Sequence, residues 1–119
     1  MTEGLGGDDG DPLAPILGKE LAAVVFHRHY IQLAFDGPLL NIDARSTVRI
    51  SGRGVSAGQA GFRDALCERI GLIVTQAYVC EDVELGIAFG DGSTLTVPLT
   101  HEEKPQAAEF RNGFDLWVW

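Results

Sequence analysis

The chain has 119 residues, 45% of them apolar, and a formal net charge of −8: enough for one domain with a real core and too little for two comfortable ones. No apolar run approaches the roughly 20 residues that span a bilayer. Nine lysines and arginines, scattered among seventeen aspartates and glutamates, form no basic stripe, so membrane insertion and nucleic-acid binding are both disfavoured.

Residues 1–11 hold Glu3, Asp8, Asp9 and Asp11 among glycines, with no lysine or arginine. Such a segment buries too little apolar surface to offset its ordering entropy, and it is expected to be mobile. Its start has neither the basic residues nor the apolar stretch of a secretory signal, which makes the cytoplasm the default expectation. Residues 12–119 are expected to fold as one β-rich domain.

Within that domain the chain resembles itself, with pseudo-repeats over about 13–51 and 66–119. Gly18 aligns with Gly71, Leu21 with Val74 and Val24 with Ala77. After a one-residue insertion, Ile31, Leu33 and Phe35 align with Leu85, Ile87 and Phe89. A second insertion brings Asp36-Gly37 onto Asp91-Gly92, and Leu40 and Ile42 onto Leu95 and Val97.

In chain order, Leu13–Leu17 predicts one helical turn before Gly18. An apolar strand, Glu20 to Phe26, then runs into a polar turn at His27-Arg28. The alternation Ile31-x-Leu33-x-Phe35 is the period-2 mark of a half-buried strand. Asp36-Gly37 closes a hairpin, and Leu39 to Asp43 completes a meander. A further strand is expected over Ser46–Ser51, and Ser51-Gly52-Arg53-Gly54 reads as a surface loop. Ser56 to Ile70 fits one short helix, stable from Phe62 and ended by Gly71. The second copy then repeats the pattern: Leu72–Val79, a turn at Glu81-Asp82, Leu85-x-Ile87-x-Phe89, and Thr94–Pro98. Residues 100–109, polar and interrupted by Pro105, read as a loop with some helix. Asp115–Trp119 is apolar on both faces and should be covered twice or lie inside a sheet. The fold class is therefore mainly β, at the margin α+β. Two pseudo-repeated meanders of three to four strands, seven or eight strands in all, enclose a barrel-like or sandwich core with one short helix between them.

Chemistry is harder to find. His27 and His29 are weak metal-ligand candidates, since a turn at His27-Arg28 would separate their rings. Asp36 and Asp91 belong to turns, and Glu81, Asp82 and Glu84 read as a solvated cluster. The Gly-rich 51–54 segment matches no phosphate-loop or dinucleotide pattern. Cys67 and Cys80, with no CxxC pair, read as buried free thiols. No catalytic residue, metal or cofactor is assigned, and the expectation is a protein that is not an enzyme. Trp117 and Trp119 are the binding candidates, as recognition anchors or as a core plug.

The segments Phe89-Gly-Asp-Gly-Ser-Thr-Leu-Thr-Val97, Pro105-Gln-Ala-Ala-Glu-Phe110 and Leu116-Trp-Val-Trp119 resemble a family of small uncharacterised bacterial domains, mostly actinobacterial. The likeness covers about residues 70–119 well and the first copy loosely. It implies an immunity-like or accessory role in binding another protein, and it transfers no catalytic residue. Three readings follow: a protein-interaction domain with an acidic surface, a small-molecule-binding domain with a pocket at the mouth of the barrel, and a homodimer through an edge strand or the Trp117/Trp119 surface.

Overall fold

The computed structural model describes residues 11–100 and 106–119. The expectation of a mobile segment over 1–11 thus falls, Asp11 apart, outside the described residues, as does most of the loop expected at 100–109. A 3-10 turn at Ala14–Ile16 precedes β1 (Ala23–Phe26), β2 (Ile31–Ala34), β3 (Leu39–Ile42), β4 (Thr47–Ile50) and β5 (Arg53–Ser56). Helix α1 (Phe62–Cys67) leads to β6 (Val74–Cys80), β7 (Glu84–Phe89), β8 (Thr94–Pro98), β9 (Ala108–Asn112) and β10 (Asp115–Val118).

These strands form two five-stranded antiparallel sheets, ordered β1-β2-β3-β9-β10 and β5-β4-β8-β7-β6, and the sheets do not close into a barrel. Each meander keeps its own three strands together, but the hairpin that follows it crosses over. β4-β5 extends the second meander at β8, and β9-β10 extends the first at β3. A three-stranded meander alone could not cover its apolar face. Exchanging hairpins makes both sheets five strands wide and ties the halves into one core.

The two halves share their register. Phe26 faces Ile31 as Val79 faces Leu85, and Val24 faces Leu33 as Ala77 faces Ile87. Leu40 pairs with Leu33 and Phe110, just as Leu95 pairs with Ile87 and Val48. Where the halves meet, the hydrogen bonds are reciprocal. Gly18 N–H donates to Val74 O (2.9 Å) and Gly71 N–H to Leu21 O (2.8 Å); Leu21 N–H donates to Leu72 O (3.0 Å) and Val74 N–H to Lys19 O (2.9 Å). Both glycines hold a positive φ, +80° and +94°, which a side chain would strain. Leu21, Leu33, Phe35 and Leu40 and their counterparts Val74, Ile87, Phe89 and Leu95 are all buried in the common core, joined by Val48 and Phe110.

Several expectations change here. Ten strands replace seven or eight. Ser51-Gly52 is the two-residue turn of a hairpin, with φ of +53° and +81°, and Arg53-Gly54 opens β5 rather than a loop. Residues 108–112 form β9, so the loop expected at 100–109 ends earlier. β10 is an edge strand, not a doubly covered one: Leu116 and Val118 are 51% and 52% exposed, and Phe114 at its turn stands wholly in solvent. Cys67 and Cys80 are free and exposed, not buried, because Cys67 ends α1 and Cys80 shares the outward face of edge strand β6 with Tyr78.

Candidate functional site

The turn between β1 and β2 takes four residues. His27 N–H donates to Tyr30 O (2.8 Å), and the His27 ring stacks on the Tyr30 ring with centroids 4.2 Å apart. This turn is one wall of an open cleft of about 400 Å³, within the range of small-molecule sites. Asp43, Ala44 and Arg45, just past β3, form a second wall. Ala57-Gly58 after β5, and Phe62-Arg63 at the start of α1, complete the lining.

The cleft is cationic. Among the described residues, three of the chain's nine lysines and arginines line it, Arg28, Arg45 and Arg63, together with His27 and His29, against one carboxylate, Asp43. Two of the guanidinium groups are positioned by contacts that, among the described residues, leave donors free. Arg45 Nε donates to Ala57 O (2.9 Å), so its two terminal amino groups point onward. Arg63 is held with its Cζ 4.9 Å from the centre of the Phe26 ring, a cation–π contact that uses none of its N–H groups. Among the described residues no carboxylate lies within ion-pairing distance of Arg28, Arg45 or Arg63. Asp43 is itself engaged, accepting from Gln106 Nε2 (3.2 Å). Guanidinium donors match carboxylate and phosphate oxygens bidentately, so the arrangement is built to hold an oxyanion.

The pseudo-equivalent end of the molecule carries larger side chains and, among the described residues, the opposite charge. Its turn, between β6 and β7, holds Glu81, Asp82 and Glu84. Leu99, two residues beyond Val97, stands where Ala44 stands two beyond Ile42, and it is fully buried. Trp119 donates its N–H to Ala108 O (2.9 Å) as Ala57 donates to Ser46 O (2.9 Å), so Trp119 and Ala57 occupy equivalent backbone positions. Trp119 packs against the core, as does Trp117, whose ring lies 5.9 Å from Phe110.

Two further polar clusters serve the fold. Arg69, 5% exposed, joins α1 to the β7-β8 turn: its Nη1 donates to Asp91 Oδ2 (2.8 Å) and Ser93 Oγ (2.6 Å), and its Nε to Ala65 O (3.2 Å). Hydrogen bonds from the Ser93 hydroxyl and backbone N–H, aided by Arg69, hold the Asp91 carboxyl below the usual carboxylate range despite partial desolvation. On the outer face of β6-β7, the Tyr78 ring lies over Gly86 and its hydroxyl donates to Glu84. That bond, helped by burial and by the negative charge of Glu84, pushes Tyr78 up to about 12.

Of the residues singled out in the sequence, His27 and His29 do line one site; among the described residues no three His, Cys, Asp or Glu side chains gather as a metal site would need. Trp117 and Trp119 lie elsewhere and turn toward the core, while the exposed apolar residues of β10 are their neighbours Leu116 and Val118. The sequence reading missed Arg45 and Arg63 altogether, because the cleft gathers residues from four separate segments. No protein-family model, curated protein or solved structure matches the chain.

Proposed function

We propose that the protein is a binding domain, not an enzyme, which takes a small anionic molecule in the cleft between the β1-β2 turn and α1. One observation carries this reading: three guanidinium groups, two of them pre-positioned by Ala57 O and the Phe26 ring and none ion-paired among the described residues, face one open cleft of a chain whose net charge is −8. Arg28, Arg45 and Arg63 are exposed, and the mutual repulsion of clustered like charges is relieved when an anion joins them. Calorimetric titration with inorganic phosphate at low ionic strength is the direct test. The expected result is one site per chain, weakened at least tenfold in Arg45→Ala and in Arg63→Ala, since each charged hydrogen bond contributes about 1.5–3 kcal/mol. Binding that ignores both substitutions would remove the cleft from consideration.

A protein-interaction role has its own observation, the apolar edge of β10. An edge strand offers unpaired backbone donors and acceptors that another strand satisfies. A second copy, paired antiparallel about Leu116, would join two such edges into one continuous sheet. Sedimentation of wild type and of Leu116→Lys tests it: a dimer abolished by the substitution supports this second reading, and a monomer at high concentration ends it.

A further inference from the structure

We infer that the ligand of the cationic cleft carries a flat apolar body about the size of an indole, seated in the space that Trp119 and Leu99 fill at the other end of the duplicated core; this inference rests on the anion-binding reading above. Side-chain volumes differ at equivalent positions of the two ends. Ala57 and Trp119 make the same backbone hydrogen bond within equivalent hairpins, β4-β5 and β9-β10. Val55 and Trp117, two residues earlier in each, face Val48 and Phe110 across those hairpins. Ala44 and Leu99 likewise follow equivalent strands by the same two residues.

At one end both positions are large and close the gap between the sheets. At the other both are alanine, and the gap remains as the cleft. Close-packed interiors tolerate few voids, and Phe26 and Ile31, half-buried at this corner beside the buried Phe62 and Ile42, leave dispersion contacts unmade while it stays open. An occupant with an aromatic body restores those contacts. The body's rim would lie beside the Arg45 amino groups and the Arg63 guanidinium, which places the anionic substituent on the solvent side of the ring. The chemical class is therefore an aromatic phosphate or carboxylate, rather than a bare inorganic anion or a long flexible acid. Ala57 and Ala44 set the size of the ligand, and the arginines set its charge.

The experiment compares three probes on the full chain: 1-naphthyl phosphate, 1-naphthol and inorganic phosphate. The expected result is that 1-naphthyl phosphate binds at least about tenfold more tightly than inorganic phosphate, as burial of an aromatic ring allows. In Ala57→Trp, which supplies the missing plug, that advantage should vanish, the ratio of the two phosphate affinities falling to about one. Ala44→Leu, a smaller filling, should reduce 1-naphthyl phosphate binding in the same direction, and it keeps the question answerable if Ala57→Trp fails to fold. Equal affinity for the two phosphates would overturn the inference and leave the anion site standing. Binding of 1-naphthol as tight as that of its phosphate would overturn the anion reading and leave the apolar seat. No binding by any probe would overturn both.

Discussion

The two ends of this molecule are built on the same strand unit and are finished differently. At one end the turn reads His27-Arg28-His29-Tyr30, the flanking positions are Ala44 and Ala57, and an open cationic cleft results. At the other the turn carries Glu81, Asp82 and Glu84, the equivalent positions are Leu99 and Trp119, and the core is closed. The comparison separates what the fold requires from what a site requires. Features present in both halves, such as the Gly18/Gly71 exchange and the alternating apolar triplets, are answers to the problem of burying a meander. Features present in one half alone are free of that duty, and function should be sought among them.

The sharpest way to break this comparison is through the shared core. Phe35 and Phe89 are equivalent and both buried. Phe35→Ala and Phe89→Ala should each lose about 3–5 kcal/mol of stability in denaturant titration, the usual cost of removing a buried phenyl group. If the halves are one cooperative unit, the two losses will agree within about 1 kcal/mol. A cheap substitution on one side would show that half to be loosely packed, and the equivalence would be topological only.

A smaller effect is expected where the halves differ by an ion pair between the buried Arg69 and the exposed Asp91. Arg69 stands two residues before Gly71, as Ile16 stands two before Gly18, so one half fixes its approach with a charge and the other with an alkyl group. Asp91→Ala leaves the Arg69 guanidinium without its carboxylate and should cost about 1.5–3 kcal/mol, the range for hydrogen bonds to charged groups. The sign with pH follows from the lowered Asp91 carboxyl. Its contribution is present above the unfolded carboxylate value of about 3.9 and is lost as pH falls through the lower folded value. Thermal melts of wild type should therefore drop toward those of Asp91→Ala below pH 4, and parallel curves would contradict the assignment.

The third test moves one half toward the other. Ser46 is fully buried, and its hydroxyl has no hydrogen-bond partner among the described residues, while the equivalent position holds Ala108. Ser46→Ala should raise stability by about 1 kcal/mol, and Ala108→Ser should lower it by about 1–3 kcal/mol. Loss of stability in Ser46→Ala would mean that the hydroxyl is satisfied in solution, and the asymmetry would then be functional rather than a defect.

Much of this equivalence could be read in the sequence, and the residues show where legibility ended. The paired glycines, the Ile31/Leu85 alternation and the α1 start at Phe62 all come from local patterns that survive in one strand or one helical turn. β5 did not, because Arg53-Gly-Val-Ser56 lies at an edge and carries a single apolar residue toward the core. β9 was hidden by the polar stretch and Pro105 before it, although Ala108 and Phe110 both point inward. Without those two strands the hairpin exchange was invisible, and with it the match of Ala57 to Trp119. The cleft depends on that match and on four segments far apart in sequence. Only the charge contrast between His27-Arg28-His29 and Glu81-Asp82 was available as a hint.

The smallest effect concerns the outer faces of the sheets, where the halves again solve one problem differently. On the first sheet Gln32 and Asn41 face each other and bond through their amides (3.0 Å). On the second the position of Gln32 is taken by Gly86, and the Tyr78 ring covers the bare backbone while its hydroxyl reaches Glu84. A Cβ at position 86 would collide with that ring, so Gly86→Ala must push the ring outward. The ring is half-exposed and free to swing, so the expected stability change stays under about 1 kcal/mol, near the strand preference of alanine over glycine. The informative readout is the phenol. With Tyr78 raised to about 12 in the fold and about 10 in the unfolded chain, folding favours its neutral form. That contribution is complete below pH 10 and fades as pH climbs toward 12. The phenolate difference spectrum of wild type against Tyr78→Phe should show a single group titrating near 12. In Gly86→Ala the displaced ring loses Glu84, and its titration should fall back toward 10. If it stays near 12, Glu84 follows the ring outward, and the glycine serves the backbone rather than the tyrosine.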